Sequence, residues 1–309
     1  MSMDAALEAR SASAHEAPLV ERPRNGVERE PAAAGDLLRD ALLARLAAGN
    51  LPLPLLPRVA TEIMAIVRDP EADAAALARL IHQDPALAAH VLRIANSPAF
   101  LPRTPIVSLQ QAITRLGFGT LGEIALAASL QGGVFRVPGF EAELAGIWKH
   151  ALATASFARE VARQRRCNVE SAFLCGLLHT IGKPTILQAG IDLSAERRER
   201  PERATLAALA DELHPEVGRA VGDRWGLPSV VVRAIATYRG YDSSPEAPLE
   251  PMIVWIAGRF AESLFATPDE LEELRSDPAF LHLNLYPEDV DVVLGRAEAV
   301  RASVEAMLL

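Results

Sequence analysis

Residues Gln83–Ser97 read QDPALAAHVLRIANS, and the fold is written in the punctuation of this stretch. Pro85 stands where a helix starts and Asn96 where one stops. Between them Leu87, Val91, Leu92 and Ile94 recur at helical spacing. The stretch predicts a short helix with one apolar face. Working outward, Leu77, Leu80 and Ile81 form a similar stripe upstream, as do Ile63, Met64 and Val67 before them. Helices this short persist only when packed against one another. Pro57, Pro215 and Pro228 also precede apolar-periodic runs, and Gly117 and Gly226 follow them. Ser108 with Gln111, Thr120 with Glu123, and Thr267 with Glu270 have capping-box spacing, in which two helix N–H groups are satisfied reciprocally. Alternating strand patterns are almost absent, and no self-similar period is visible. The expected class is all-α.

The chain has 309 residues, half of them apolar but only 5% aromatic, so the core must be built from Leu, Ala, Val and Ile. Its formal charge is -9, the wrong sign for a protein that grips phosphate backbones or anionic membranes. Neither nucleic acid nor a membrane is expected as a partner. Cys167 and Cys175 cannot make a disulfide framework, and no apolar run approaches the eighteen or so residues of a membrane span. A cytoplasmic location is expected.

Three segments are expected. Residues 1–35, rich in Ala, Glu and Arg with three prolines, read as a disordered tail. Asp36 is the candidate N-cap of a first helix ending at Gly49, and residues 36–138 form an N-terminal helical subdomain. Residues 139–309 form a second helical bundle with C-terminal helices, opening with a longer helix around Trp148–Val161. The weak boundary lies at 132–139, and Ala189–Pro201, with its mixed charges, reads as a solvated loop.

Gly117, Gly119 and Gly122 in GFGTLG match a dinucleotide-binding pattern, but that motif works only between a strand and a helix. A helix stop at Gly117 followed by a cap at Thr120 accounts for the string without a ligand. The histidines carry more chemistry. His150 lies in WKHALATASFA, His179 in FLCGLLHTIGK, and His214 opens LHPEVGRAVGDRWGLP. Each alone is most simply a hydrogen-bonded core histidine.

Taken together, these strings resemble a known family. LLHTIGK, residues 177–183, is similar to the LLHDIGK element of HD-superfamily phosphohydrolases, and His150 falls at that family's upstream metal-binding histidine. Residues 51–97, then SLQQAITRLGF at 108–118, resemble the N-terminal helical part of the HDOD family, HD-related output domains of bacterial signalling proteins. The resemblance runs from about Leu51 to Tyr238. It is most specific at QDPALAAHVLRIANS, at Trp148 with His150, and at RWGLP ending with Pro228.

The resemblance implies a degenerate metal site. Thr180 replaces the metal-bridging aspartate, Tyr238 and Arg239 stand where active relatives often carry two histidines, and Gly258 lies near the closing aspartate. Two-metal hydrolysis needs anionic oxygens to hold hard cations, and a neutral hydroxyl substitutes poorly. No cofactor and no catalytic residue are therefore expected. If any metal binds, His150, His179 and His214 hold it, with Cys175 one helical turn before His179 either a further ligand or a small buried residue.

The implied role is a non-catalytic signalling output or adaptor that touches partner proteins. The rim at Asn96, Phe100 and Pro102 is the candidate partner surface. Two alternatives remain: a nucleotide or cyclic-dinucleotide sensor using Lys183, Arg239 or Arg224, and a residual metal-dependent HD phosphohydrolase.

Overall fold

The computed structural model describes residues 31–308 apart from 70, 98, 99, 101–103, 132, 133, 136, 200, 201, 245 and 265–267. Every regular element among the described residues is helical. The N-terminal part comprises α1 (Pro31–Ala47), α2 (Arg58–Arg68), α3 (Ala74–His82), α4 (Pro85–Ala95), α5 (Leu109–Leu116) and α6 (Phe118–Gln131). Next come α7 (Glu141–Gln164), α8 (Val169–Leu178), α9 (Gly182–Glu196), α10 (Arg203–Arg224) and α11 (Ser229–Thr237), which runs into a single 3-10 turn, Tyr238–Gly240. The chain closes with α12 (Leu249–Ser263), α13 (Pro268–Arg275), α14 (Ala279–His282), α15 (Pro287–Leu294) and α16 (Ala297–Leu308).

The helix α4 shows how local signals build the fold. The Asp84 carboxylate accepts hydrogen bonds from the Ala86 and Leu87 N–H groups at 2.9 and 3.1 Å, and Pro85 occupies the first turn, where its missing N–H costs nothing. Leu87, Val91 and Ile94 are buried, each worth roughly 1.5–3 kcal/mol relative to exposure. Asn96 ends the helix. Its Nδ2 donates to the Leu92 and Ile106 carbonyls, both at 2.8 Å, and its Oδ1 accepts from the Ile106 N–H at 2.7 Å. The side chain of Asn96, a half-buried member of the candidate partner rim, thus clamps the returning chain. Phe100 packs half-buried against the core, and Pro102 lies outside the described residues.

One apolar core unites α2–α6 with α7, α8, α11, α12 and the C-terminal helices. A smaller one joins Leu38 and Leu42 of α1 to Ile186, Leu187 and Leu193 of α9 and Leu206 and Leu209 of α10. The first helix therefore packs with the second half of the chain, not with the N-terminal helices among which residues 36–138 had placed it. It also begins at Pro31, so Asp36 is an internal helical residue and not its cap. Of the expected tail, residues 1–30 lie outside the described residues and 31–35 are helical.

Other local expectations divide between confirmed and corrected. Gly117 ends α5 at φ +86°, a conformation that favours glycine, and Ser108 Oγ accepts from the Gln111 N–H at 3.2 Å. Thr120 is no cap, because α6 already starts at Phe118 and Glu123 turns instead to Arg159 at 2.9 Å. The Thr267 half of the third capping box lies outside the described residues. The Ala189–Pro201 loop is corrected as well, since α9 runs to Glu196 and buries Ala189, Gly190 and Leu193. Mixed charge there decorates only the exposed end of the helix. Pro215 does not start a helix either; it lies inside α10. The Trp225 indole N–H of RWGLP donates to the Pro54 carbonyl at 2.8 Å and anchors the segment before α2.

Candidate functional site

Two glycines set the position of His179. A Cβ on Gly176 would come within 2.6 Å of the Ala155 Cα, and one on Gly182 within 2.2 Å of the His214 carbonyl oxygen. Only a residue without a side chain lets α8 lie against α7 and the start of α9 lie against α10. His179 sits at the junction, 1% exposed, just past the end of α8. Its Nδ1 donates to the Gly176 carbonyl at 2.7 Å, because a carbonyl can only accept. The ring lies 5.3 Å from that of His150 on α7 and 5.0 Å from that of Tyr238, which it meets edge-on.

His214 is placed by the internal proline. Pro215 has no N–H to offer the Asp211 carbonyl one turn back. That carbonyl instead accepts from His214 Nδ1 at 3.0 Å and from Arg239 Nη1 at 2.6 Å. With the proton of His214 fixed on Nδ1, Nε2 is the acceptor, and the Tyr238 hydroxyl donates to it at 2.8 Å. Both ring nitrogens are used. Lys183 Nζ pairs with Asp211 Oδ1 at 2.5 Å, so Asp211 binds Lys183 through its side chain and Arg239 through its backbone.

A cavity of about 520 Å³ opens over this cluster, lined by His150, His179, Thr180, Lys183, Tyr238, Arg239 and Gly258. It gathers seven of the eight residues singled out in the sequence, with His214 held behind Tyr238. The sequence reading missed Trp255, Arg259, Glu262 and Asp277, which complete the lining. Arg259 binds Glu262 at 2.8 Å and Asp277 at 3.3 Å. The three-residue spacing of Arg259 and Glu262 on one helix was a readable signal; nothing local announces Asp277. Arg224 is exposed at the end of α10, ten residues and roughly 15 Å of helix from His214, and does not line the cavity.

Burial keeps the imidazoles neutral. His179 is held well below the usual histidine range by burial and then by neighbouring His150, and His150 is lowered by burial and by Lys183. His214 is pushed down to about 3 by burial and the Arg239 charge. Burial raises the Tyr238 phenol, which stays protonated and able to donate.

These residues do not fit the metal centre of the HD phosphohydrolases. His214 has no nitrogen to spare, Thr180 offers a neutral hydroxyl, Gly258 has no side chain to offer, and the two carboxylates of the lining, Glu262 and Asp277, are bound by Arg259. Burial, aided by the Glu250 charge, pushes the Cys175 thiol up to about 12, away from the thiolate that metals bind. Among the described residues no group of three His, Cys, Asp or Glu side chains could hold a metal ion. The three-histidine set is corrected on this geometry: His150 and His179 come together, while His214 is spent on Tyr238 and Asp211.

The HDOD domain family matches residues 53–240, a span that contains α2 through the Tyr238 turn and hence most of this cluster. The chain belongs to the HDOD family. A curated Treponema pallidum protein, uncharacterized, is 27% identical to this HDOD chain over 215 residues, 66% of the chain and 41% of the relative. The chain thus spans less than half of that relative's length. Among solved structures, a Geobacter sulfurreducens HDOD domain protein of unknown function has a TM-score of 0.67 at 21% identity, covering 89% of this chain and 99% of its own. A Shewanella amazonensis protein described as a candidate metal-dependent phosphohydrolase has a TM-score of 0.69 at 21% identity, with coverage of 88% and 99%. A candidate signal transduction protein from Marinobacter aquaeolei reaches 0.61 at 21% identity, covering 91% and 67%. These likenesses establish the HDOD fold. No helix of the described residues is long and apolar enough to cross a membrane.

Proposed function

We propose that this HDOD chain is a non-catalytic signalling module, an output or adaptor unit that works by contact with partner proteins in bacterial signal transduction. One observation carries the reading: the cavity where HD enzymes hold metal has Thr180 next to His179 and the Tyr238 hydroxyl bound to His214 Nε2. The donors beside the histidines are neutral, and the two carboxylates that line the cavity, Glu262 and Asp277, are both bound by Arg259, which opposes their holding hard cations and activating a shared water. The Marinobacter aquaeolei neighbour, described as a candidate signal transduction protein, agrees with a signalling role.

The test is elemental mass spectrometry of the purified chain before and after incubation with zinc or manganese, with a phosphodiesterase assay on the same sample. Sub-stoichiometric metal and no product are expected. Stoichiometric metal with turnover that disappears in His179→Ala would restore the enzyme and overturn the proposal.

A second reading rests on Lys183 and Arg239, two cations lining the same cavity. In that reading the cavity is a sensor that binds a nucleotide or cyclic dinucleotide without cleaving it, the phosphates displacing Asp211 from Lys183. It predicts a saturable thermal shift with the nucleotide, lost in Lys183→Ala, and no product.

A further inference from the structure

The last helix, α16, lies outside the family span, yet the groove that seats it is built within that span by α4, α6 and α7. Its apolar face consists of Val300, Val304 and Met307, all buried at i, i+4 and i+7, while Glu298 and Glu305 face solvent. Arg301 Nη2 ties the helix to the Leu264 carbonyl at 2.6 Å. Two residues, Gly295 and Arg296, join it to α15.

The seam beneath α16 is poorly satisfied. Ser303 Oγ, on the buried face one turn before Met307, has no hydrogen-bond partner and lies too deep for water to reach. Across the seam, His90 of α4 donates through Nδ1 to the Met307 backbone carbonyl, and its Nε2 is likewise buried without a partner. Ser97 Oγ, seven residues on from His90 and so on the same side of α4, is a third such atom. A buried polar atom left unpaired costs about as much as burying one valine gains. Three orphans thus stand against three apolar anchors, and releasing α16 lets water reach Ser303 and His90. A short terminal helix with that balance opens before the core does.

We infer that α16 is a releasable occupant of a docking groove, and that an amphipathic helix of a partner protein takes its place between α4, α6 and α7. The partner's chemistry is read from the occupant: apolar residues at i, i+4 and i+7, as in helix-in-groove recognition, and alanine where α16 carries Ser303, which leaves no orphan hydroxyl on the incoming helix. The inference rests on the adaptor reading and gives it a surface. The two fail separately, because the metal and phosphodiesterase assays test the adaptor reading and the experiment below uses neither.

The experiment is hydrogen exchange of the full chain at pH 7.5, read by mass spectrometry, together with titration of a labelled, end-capped peptide of residues 297–308 carrying Ser303→Ala. Amides of α16 are expected to exchange at least tenfold faster than those of α7. Ser303→Ala in the chain should slow α16 exchange at least fivefold, beyond the roughly twofold that alanine's helix propensity supplies. The peptide competes with an α16 held on the same chain, so it should bind weakly to the wild type. It should bind at least tenfold more tightly to Val304→Asp, which unseats α16 and leaves the groove walls unchanged. Circular dichroism verifies folding. Should Val304→Asp not fold, the milder Arg301→Ala, which removes the bond to Leu264, decides in its place, with exchange of α16 and peptide affinity both raised several-fold. An α16 that exchanges no faster than α7, no slowing beyond twofold in Ser303→Ala, or peptide binding no tighter in the folded release variant than in the wild type would each overturn the inference.

Discussion

Acid should destabilise this protein through one histidine more than through any surface ion pair. His214 has no exposed surface, and its pKa is about 3 in the fold against roughly 6.5 in an unfolded chain. A histidine with a depressed pKa stabilises the fold fully above the unfolded value. That contribution is lost as pH falls from about 6.5 towards 3, because only the unfolded chain takes up the proton. Between pH 7.5 and pH 5.0 the loss from His214 is about 2 kcal/mol, from one and a half pH units at 1.36 kcal/mol each. The assay is urea denaturation of the wild type and His214→Gln at both pH values. The variant will be less stable outright, so the comparison is between the two pH-dependent losses, which cancels the carboxylates common to both chains. The wild type should lose about 2 kcal/mol more than the variant. Equal losses, or a His214 imidazole that titrates near pH 6 by NMR in the folded protein, would refute the geometry of a buried, doubly bonded neutral ring.

Three substitutions probe the contacts that set the fold. Gly182→Ala puts a methyl 2.2 Å from the His214 carbonyl oxygen and should destabilise by about 1–3 kcal/mol or more, with a lowered melting temperature as readout. Asn96→Ala removes three hydrogen bonds, two with Ile106 and one to the Leu92 carbonyl, and should cost about 2–3 kcal/mol, with faster amide exchange at Ile106. Trp225→Phe keeps the ring but loses the bond to Pro54, costing about 1 kcal/mol and loosening the segment before α2, which limited proteolysis would detect.

The elements read most directly from the sequence were those fixed by their own neighbours in the chain. Pro85 and Asn96 bound a helix because a missing N–H and a capping amide act within one turn, and Gly117 does so through its positive φ. Pro215 misled because a proline's effect depends on whether its lost partner can be replaced. Here the Asp211 carbonyl is taken by His214 and by Arg239, 28 residues away, so the helix continues through it. The stretch from Ala189 misled because its charges suggested solvent, while the deciding contact, Gly190 against Leu206, lies across to another helix. The candidate site divides the same way. Its histidines were visible beside their glycines, whereas the arrival of Asp277 from beyond α12 depends on packing that no local spacing encodes.

The placement of α1 separates two meanings of a domain. The family unit, residues 53–240, is what is shared among relatives, but the packed cores of this chain extend past it on both sides. Leu38 and Leu42 come from before it and fill the core between α9 and α10, while Val300, Val304 and Met307 come from after it and join the main core. A fragment cut at the family limits would carry every residue that defines the HDOD signature and still expose apolar surface at both ends. Inheritance and folding therefore draw their borders in different places, and changes in the flanking helices can reach the shared pocket through packing alone.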